Sequence, residues 1–167
     1  MKKVIIVSGR LSLRKKPSGK KAVIVSGSVG AGKTTFAMKL AHQLKCGYVD
    51  INSLVDEYGL SEGYDKKRKS KIVDVDRLNK FLIEMIKKSK KKLIIDGHLS
   101  HFLPAEYVEK CYIVKCDLKV LNKRLEQRGY SKAKIRENLD AEIFDVCFIE
   151  AREMGHKIEV VDAIKAI

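Results

Sequence analysis

The sequence predicts a three-layer α/β fold with a parallel five-stranded sheet at its core. Three observations carry this. Short apolar runs at 22–25, 47–51, 93–96, 111–116 and 157–162 read as buried strands, continuous in apolar character rather than alternating. Segments with helical spacing separate them, and strands alternating with helices close into a parallel sheet covered on both faces. Between the first run and its helix lies Gly27-Ser28-Val29-Gly30-Ala31-Gly32-Lys33-Thr34, which meets the pattern G-x-x-x-x-G-K-[ST] at every fixed position.

The context of that loop agrees with the pattern. Ala22-Val23-Ile24-Val25 supplies the strand before it, and Phe36, Met38, Leu40, Ala41 and Leu44 share a helical stripe after it, with Cys46-Gly47 as the stop. Glycines let the backbone turn tightly and aim its N–H groups inward, which makes an anion nest at a helix N-terminus. Lys33 is placed to reach the β- and γ-phosphates of a nucleoside triphosphate, and the Thr34 hydroxyl to ligate Mg²⁺. A glycine turn without a ligand would need neither side chain.

The remaining elements follow in order. Residues 47–51 form strand two, and Asn52-Ser53 can cap a short helix over 54–58. Residues 59–71 are polar, glycine-punctuated and basic, and read as a surface loop. Asp74 or Asp76 starts a helix whose Leu78, Phe81, Leu82, Met85 and Ile86 share a face. The lysines at 87–92 suit its negative end. Leu93-Ile94-Ile95-Asp96 is a buried strand ending in a carboxylate, which paired with the upstream loop is the expected second half of a phosphate-loop NTPase, able to hold Mg²⁺. His98 stands two residues further, near the expected γ-phosphate. His101 reads as a surface or hydrogen-bonded histidine. After the strand at 111–116, Asp117 caps a helix with Leu118, Leu121 and Leu125 inward, closing at Gly129. Arg124 and Arg128, at i and i+4, either pair with Glu126 or Asp140 or clamp phosphates. Ser131 caps a long helix with Ile135, Leu139, Ile143, Val146 and Ile149 on one side, ended by Gly155.

Charge and composition narrow the class. The chain has 167 residues, 45% hydrophobic and 34% charged, which fits one soluble domain. Its apolar runs fall short of the roughly 20 residues of a membrane span, so the expected location is cytoplasmic, with no membrane partner. Cys46, Cys111, Cys116 and Cys147 show no C-x-x-C pair and read as reduced thiols. The net charge is +14. Residues 1–21 hold eight Lys or Arg and no acid, leaving +6 on the rest. We therefore divide the chain into a basic extension, 1–21, and a phosphate-loop domain, 22–167. The balance favours anionic partners such as nucleotides or RNA. Within the extension, residues 2–9 match residues 20–27 at six of eight positions, but only the second copy enters a phosphate loop. Residues 4–7 can add an edge strand, or the segment can be a basic arm.

Taken together, the loop, Gly63-Tyr64-Asp65, Asp74-Val75-Asp76-Arg77, Asp96-Gly97-His98, Phe102-Leu103-Pro104, residues 124–130 and Glu137-Asn138 with Ala141-Glu142-Ile143 resemble the adenylate kinase isoenzyme 6 family, and Gly97-His98-Leu99-Ser100-His101 resembles its archaeal members. The likeness runs over about 22–162. It implies the nucleoside monophosphate kinase type of phosphate-loop NTPase fold. A monophosphate-binding segment would lie near 50–73 and a lid near 127–137. It implies transfer of phosphate from ATP to AMP, ATP hydrolysis, and a part in small-ribosomal-subunit maturation through a ribosomal protein and rRNA. By position, Gly30, Gly32, Lys33, Thr34 and Thr35 would bind ATP. Asp96 and His98 would form the metal and hydrolysis motif, with Thr34 and Asp96 on Mg²⁺. Arg128, with Arg124 behind it, would contact ATP, so Lys33, Asp96, His98, Arg124 and Arg128 form the expected catalytic set.

Two departures shape the expectation. Ser53-Leu54-Val55-Asp56 stands where the family carries an arginine that can grip AMP phosphate, and Asp56 would repel one. Lys66, Lys67 or Arg68 are the candidate replacements. The chain stops at Ile167, about where the family continues into an adenine-holding loop and a final helix. The leading reading is an ATP- and Mg²⁺-dependent kinase acting on AMP, a monomer or weak dimer. The rival from another class is an ATP-switched assembly factor for the small ribosomal subunit, and a third is a kinase of another small metabolite.

Overall fold

The computed structural model describes residues 19–66 and 70–163. The expectations for an edge strand at 4–7 or a basic arm, and for Lys67 and Arg68, lie outside the described residues. The large sheet runs in the order β2 (Gly47–Asp50), β5 (Leu93–Asp96), β1 (Ala22–Ser26), β6 (Val108–Lys115), β7 (Ile158–Asp162), and every pairing is parallel. Helices α1 (Lys33–Gln43), α2 (Ile51–Glu57), α3 (Val75–Lys88), α4 (Leu118–Gln127), α5 (Lys132–Ile143) and α6 (Val146–Glu153) cover it. From central β1 the chain crosses past β5 to edge strand β2, and from β5 it crosses back over β1 to β6, so the connections diverge on the two sides of β1 and a crevice opens at the strands' carboxyl ends. Register levels that edge: Val25 and Asp50 both pair with Asp96, and Ser26 pairs with Ile113.

The core fills both faces of the sheet, as the continuous apolar strands require. Ile24, Ile95 and Ile113 face Leu54, Leu78, Leu82, Ile86 and Leu103. Val23, Val25, Ile94 and Val114 face Ala37, Ala41, Leu121 and Leu125. The predicted stripe of α3 holds, with Leu78, Leu82 and Ile86 buried and Phe81 and Met85 packed beside them.

Several expectations change. Met38 and Leu44 are exposed, and α1 instead meets the sheet through Ala37 and Ala41, whose small side chains let the helix lie close. Lys45, in the left-handed region, ends α1, while Gly47 opens β2. Helix α2 begins at Ile51, capped by the Asp50 carboxylate rather than by Asn52-Ser53. The loop expected at 59–71 carries a two-stranded antiparallel hairpin, β3 (Ser61–Asp65) with β4 (Ser70–Val73). Its described residues are mostly exposed, with Val73 alone among its apolar residues packed against the core, so no alternation of apolar residues marks it in the sequence. Strand β6 starts at Val108, earlier than expected, and Leu118 at the start of α4 is exposed. The long helix expected after Ser131 is two helices, broken at Phe144-Asp145 with Asp145 at φ 53°. Ile143, Val146 and Ile149 lie exposed there, and Glu142 turns inward instead.

Candidate active site

The loop between β1 and α1 is built by close approach. A Cβ on Gly27, at φ 139°, would stand 2.4 Å from the Val114 carbonyl oxygen, so only glycine lets β1 turn against β6. At the far end of the loop Gly32 caps α1 with a left-handed backbone and no side-chain cap. The first N–H groups of α1 are thereby left for an anion. The Lys33 ammonium donates to the Ser28 carbonyl at 2.8 Å, folded over the loop it would serve. Burial holds its pKa below the usual lysine value, against the pull of Asp96.

Asp96 arrives from β5, fully buried. One oxygen, Oδ2, accepts from the Thr34 hydroxyl at 2.7 Å and from the Tyr48 phenol at 3.0 Å. The other, Oδ1, is buried with no hydrogen-bond partner among the described residues. Burial raises the carboxyl's pKa while the two hydroxyls and Lys33 work the other way. A buried carboxylate oxygen without a partner beside a threonine hydroxyl is a donor set suited to a hard divalent cation. Gly97 follows because a Cβ there would meet Ile51 at 2.8 Å, and its N–H donates to the Val25 carbonyl.

All the predicted site residues line one cavity of about 420 Å³. Gly30, Gly32, Lys33, Thr34 and Thr35 come from the loop and α1, Asp96 and His98 from the end of β5, and Arg124 and Arg128 from α4 and its C-cap. Arg124 donates to the Gly30 carbonyl at 3.2 Å. Among the described residues neither arginine meets a carboxylate. Glu126 accepts instead from Asn122, and Asp140 pairs with Arg136. The ion-pair alternative for these arginines is thus replaced by a cavity lined with cations. His98 stands exposed at the rim, where surrounding protein and the Lys33 charge lower its pKa toward about 4. A larger, shallower hollow of about 830 Å³ over Tyr58, Phe81 and Met85 holds none of these groups.

The sequence left other residues unmarked. Tyr48 on Asp96 and Asn52 on the cavity wall carry no signature. His101, expected at the surface or hydrogen-bonded, is fully buried and bonded on both nitrogens. With Nε2–H donating to Glu150 at 2.9 Å, Nδ1 accepts from the Ser26 hydroxyl at 2.7 Å. Burial lowers its pKa to about 4. Ser28 donates to the buried carboxylate of Glu142 at 2.5 Å. Asp56, expected to repel a phosphate, is engaged by Lys71 from β4.

A phosphate loop at the switch point of a parallel sheet, a carboxylate on the adjacent strand and a wall of cations define a kinase-type phosphotransferase. The family described as "AAA domain" matches residues 23–145. Over 137 residues the chain is 35% identical to a Methanocaldococcus jannaschii protein provisionally named an adenylate kinase, covering 82% of this chain and 75% of that one. A Pyrococcus furiosus protein with the same name is 39% identical over 140 residues, covering 84% and 73%. The adenylate kinase isoenzyme 6 homolog of Dictyostelium discoideum is 34% identical over 149 residues, covering 89% and 81%. A solved sugar kinase from Janibacter shares the fold at a TM-score of 0.56 and 18% identity, covering 87% of this chain and 86% of that one. The chain belongs to the adenylate kinase isoenzyme 6 family, in its archaeal branch of relatives. No helix among the described residues is long and apolar enough to cross a membrane.

Proposed function

We propose that this chain transfers the γ-phosphoryl group of ATP to a nucleoside monophosphate, AMP first, and releases phosphate from ATP when no acceptor is bound. The observation that carries this is the single cavity where Lys33, the Thr34–Asp96 pair and two arginines that meet no carboxylate among the described residues converge.

In this reading the N–H groups at the start of α1 hold the triphosphate, with Gly30, Gly32 and Thr35 shaping the contact. Lys33 leaves the Ser28 carbonyl for the β- and γ-phosphates, and its burial strengthens the exchange. Arg128, with Arg124 anchored behind it on Gly30, stabilises the charge that spreads over the transferring group. Thr34 and Asp96 would hold Mg²⁺, which supplies charge neutralisation and alignment of the phosphate oxygens. His98, kept neutral, can orient the acceptor or a water from the rim. The expected lid, 127–137, runs from the end of α4 through the turn that holds Arg128 into the first half of α5, and can exclude water when it closes.

The acceptor would enter from the side of α2 and the hairpin, residues 50–73. Lys71 neutralises Asp56 there, which removes the repulsion of a phosphate. The net charge of +14, with +8 on residues 1–21, supports a second reading as an ATP-switched factor that meets rRNA and a small-subunit ribosomal protein in the cytoplasm. The two readings differ in where the phosphate goes. γ-Labelled ATP with Mg²⁺, with and without AMP, separates them: label in ADP establishes the kinase, and free phosphate indifferent to AMP establishes the switch. Label that moves equally well in Lys33→Ala would sink both.

A further inference from the structure

We propose that Glu142 is a positioning residue, which sets the phosphate loop against the arginine helix through Ser28 and Cys116. The inference rests on the reading of the cavity as a nucleoside triphosphate site.

Glu142 lies near the end of α5, only 5% exposed. Its two carboxylate oxygens serve different elements. Oε2 accepts from the Ser28 hydroxyl at 2.5 Å, inside the phosphate loop. Oε1 accepts from the Cys116 N–H at 3.0 Å, just past the end of β6. Lys115 stands 3.5 Å from Oε1, and its ammonium also donates to the Glu142 carbonyl at 3.0 Å.

Each arm leads into the cavity. The Ser28 carbonyl is the oxygen on which both Lys33 Nζ and the Ala31 N–H rest, so fixing Ser28 fixes the floor of the loop. Cys116 immediately precedes Asp117, whose carboxylate caps α4 through the Lys119 and Val120 N–H groups. That helix carries Arg124 and ends on Arg128 at its C-cap, and Arg124 touches the Cys116 sulfur at 3.6 Å as well as Gly30. One carboxylate thus spans the roots of the two cationic walls.

A stabilising role alone does not account for this group. Burying a carboxylate is costly, and well-packed apolar replacements of buried ion pairs often fold as well or better. Burying Glu142 also leaves Ile143 exposed at the break between α5 and α6. What the carboxylate supplies, and an apolar side chain cannot, is directional acceptance from two elements at once. Reaction geometry is sensitive to such spacing, since a misplacement of about 1 Å can cost roughly a hundredfold in rate.

The test uses the full chain with Mg²⁺ and ATP, measured well below the unfolding temperature of each variant. Ser28→Ala should lower kcat about tenfold or more and raise the KM for ATP by less, with the unfolding temperature close to that of the parent. Ser28→Thr, which keeps the hydroxyl, should recover most of the rate. Glu142→Gln keeps an acceptor for Cys116 and an amide for Ser28, and should fall between parent and Ser28→Ala. In a Glu142→Ala background, Ser28→Ala should add little, because both act through one bond. If Glu142→Ala does not fold, the Ser28 pair and Glu142→Gln decide the matter. A Ser28→Ala chain with parental kcat and KM, beside a Lys33→Ala chain that has lost turnover, overturns the positioning role alone. Turnover that survives Lys33→Ala overturns the nucleotide-site reading and this role with it.

Discussion

The edge that carries the phosphate loop and the hairpin that flanks it are built on opposite terms. Strands β1 and β5 are buried along their whole length, and their carboxyl ends are cross-bonded by Thr34–Asp96, Tyr48–Asp96 and Ser26–His101. Strands β3 and β4 are mostly exposed, with Tyr64 and Ile72 open to solvent, and an exposed Lys71–Asp56 pair ties β4 to α2. Buried hydrogen bonds are costly to leave unmade, whereas an exposed ion pair contributes about 1 kcal/mol or less. In the proposed reading, the donor half of the site is therefore set before any ligand arrives, and the acceptor side is lightly held. That division suits an enzyme that must grip one triphosphate firmly and close around a second substrate.

The contrast can be broken at its strong side first. Arg128→Ala removes a cation with no carboxylate partner among the described residues, so kcat should fall by roughly 10²–10³ with stability within about 0.5 kcal/mol, as read by steady-state kinetics beside urea unfolding. A large stability loss would mean Arg128 is structural. Gly27→Ala forces a Cβ into the Val114 carbonyl at positive φ, and should cost about 3 kcal/mol or more in unfolding free energy.

Acid tests the buried histidine. His101 has a folded pKa lowered from 6.5 to about 4, so the folded state favours the neutral ring. Its contribution is complete above pH 6.5 and is lost as pH falls toward 4, a change on the order of 3 kcal/mol. Unfolding free energy followed over that range should fall less steeply in His101→Gln than in the parent. Equal slopes would mean the ring titrates normally. The smallest effect belongs to the hairpin. Lys71→Ala should change stability by less than about 1 kcal/mol and leave the KM for ATP unchanged, while raising the KM for AMP. A shift in ATP kinetics instead would erase the distinction between the two sides.

What the sequence could show followed from what the fold buries. Strands covered on both faces write continuous apolar runs, so β1, β5 and β6 were legible, and the phosphate loop was legible because Lys33 and Thr34 complete a fixed pattern that turn geometry alone does not require. The hairpin at 61–73 was not, since mostly exposed strands carry no period. The stripe drawn through Ile143, Val146 and Ile149 failed because helical spacing cannot reveal that Glu142 is drawn inward by Ser28 and Cys116, far away in sequence. The hydrogen-bonded alternative for His101 holds, but its partner Ser26, like Asp96 for the unmarked Tyr48, comes near only when the sheet assembles. The residues singled out on α1, near the end of β5 and along α4 do line one cavity, but the bonds that hold them in place were not foreseen.

The most direct test of the account is calorimetric titration of ATP with Mg²⁺ into the parent chain and into Lys33→Ala. One site per chain, with affinity weakened at least a hundredfold by the substitution while the fold is kept, is the predicted result. Equal affinity in both chains would mean that ATP does not use this cavity, and the phosphotransfer account would be wrong.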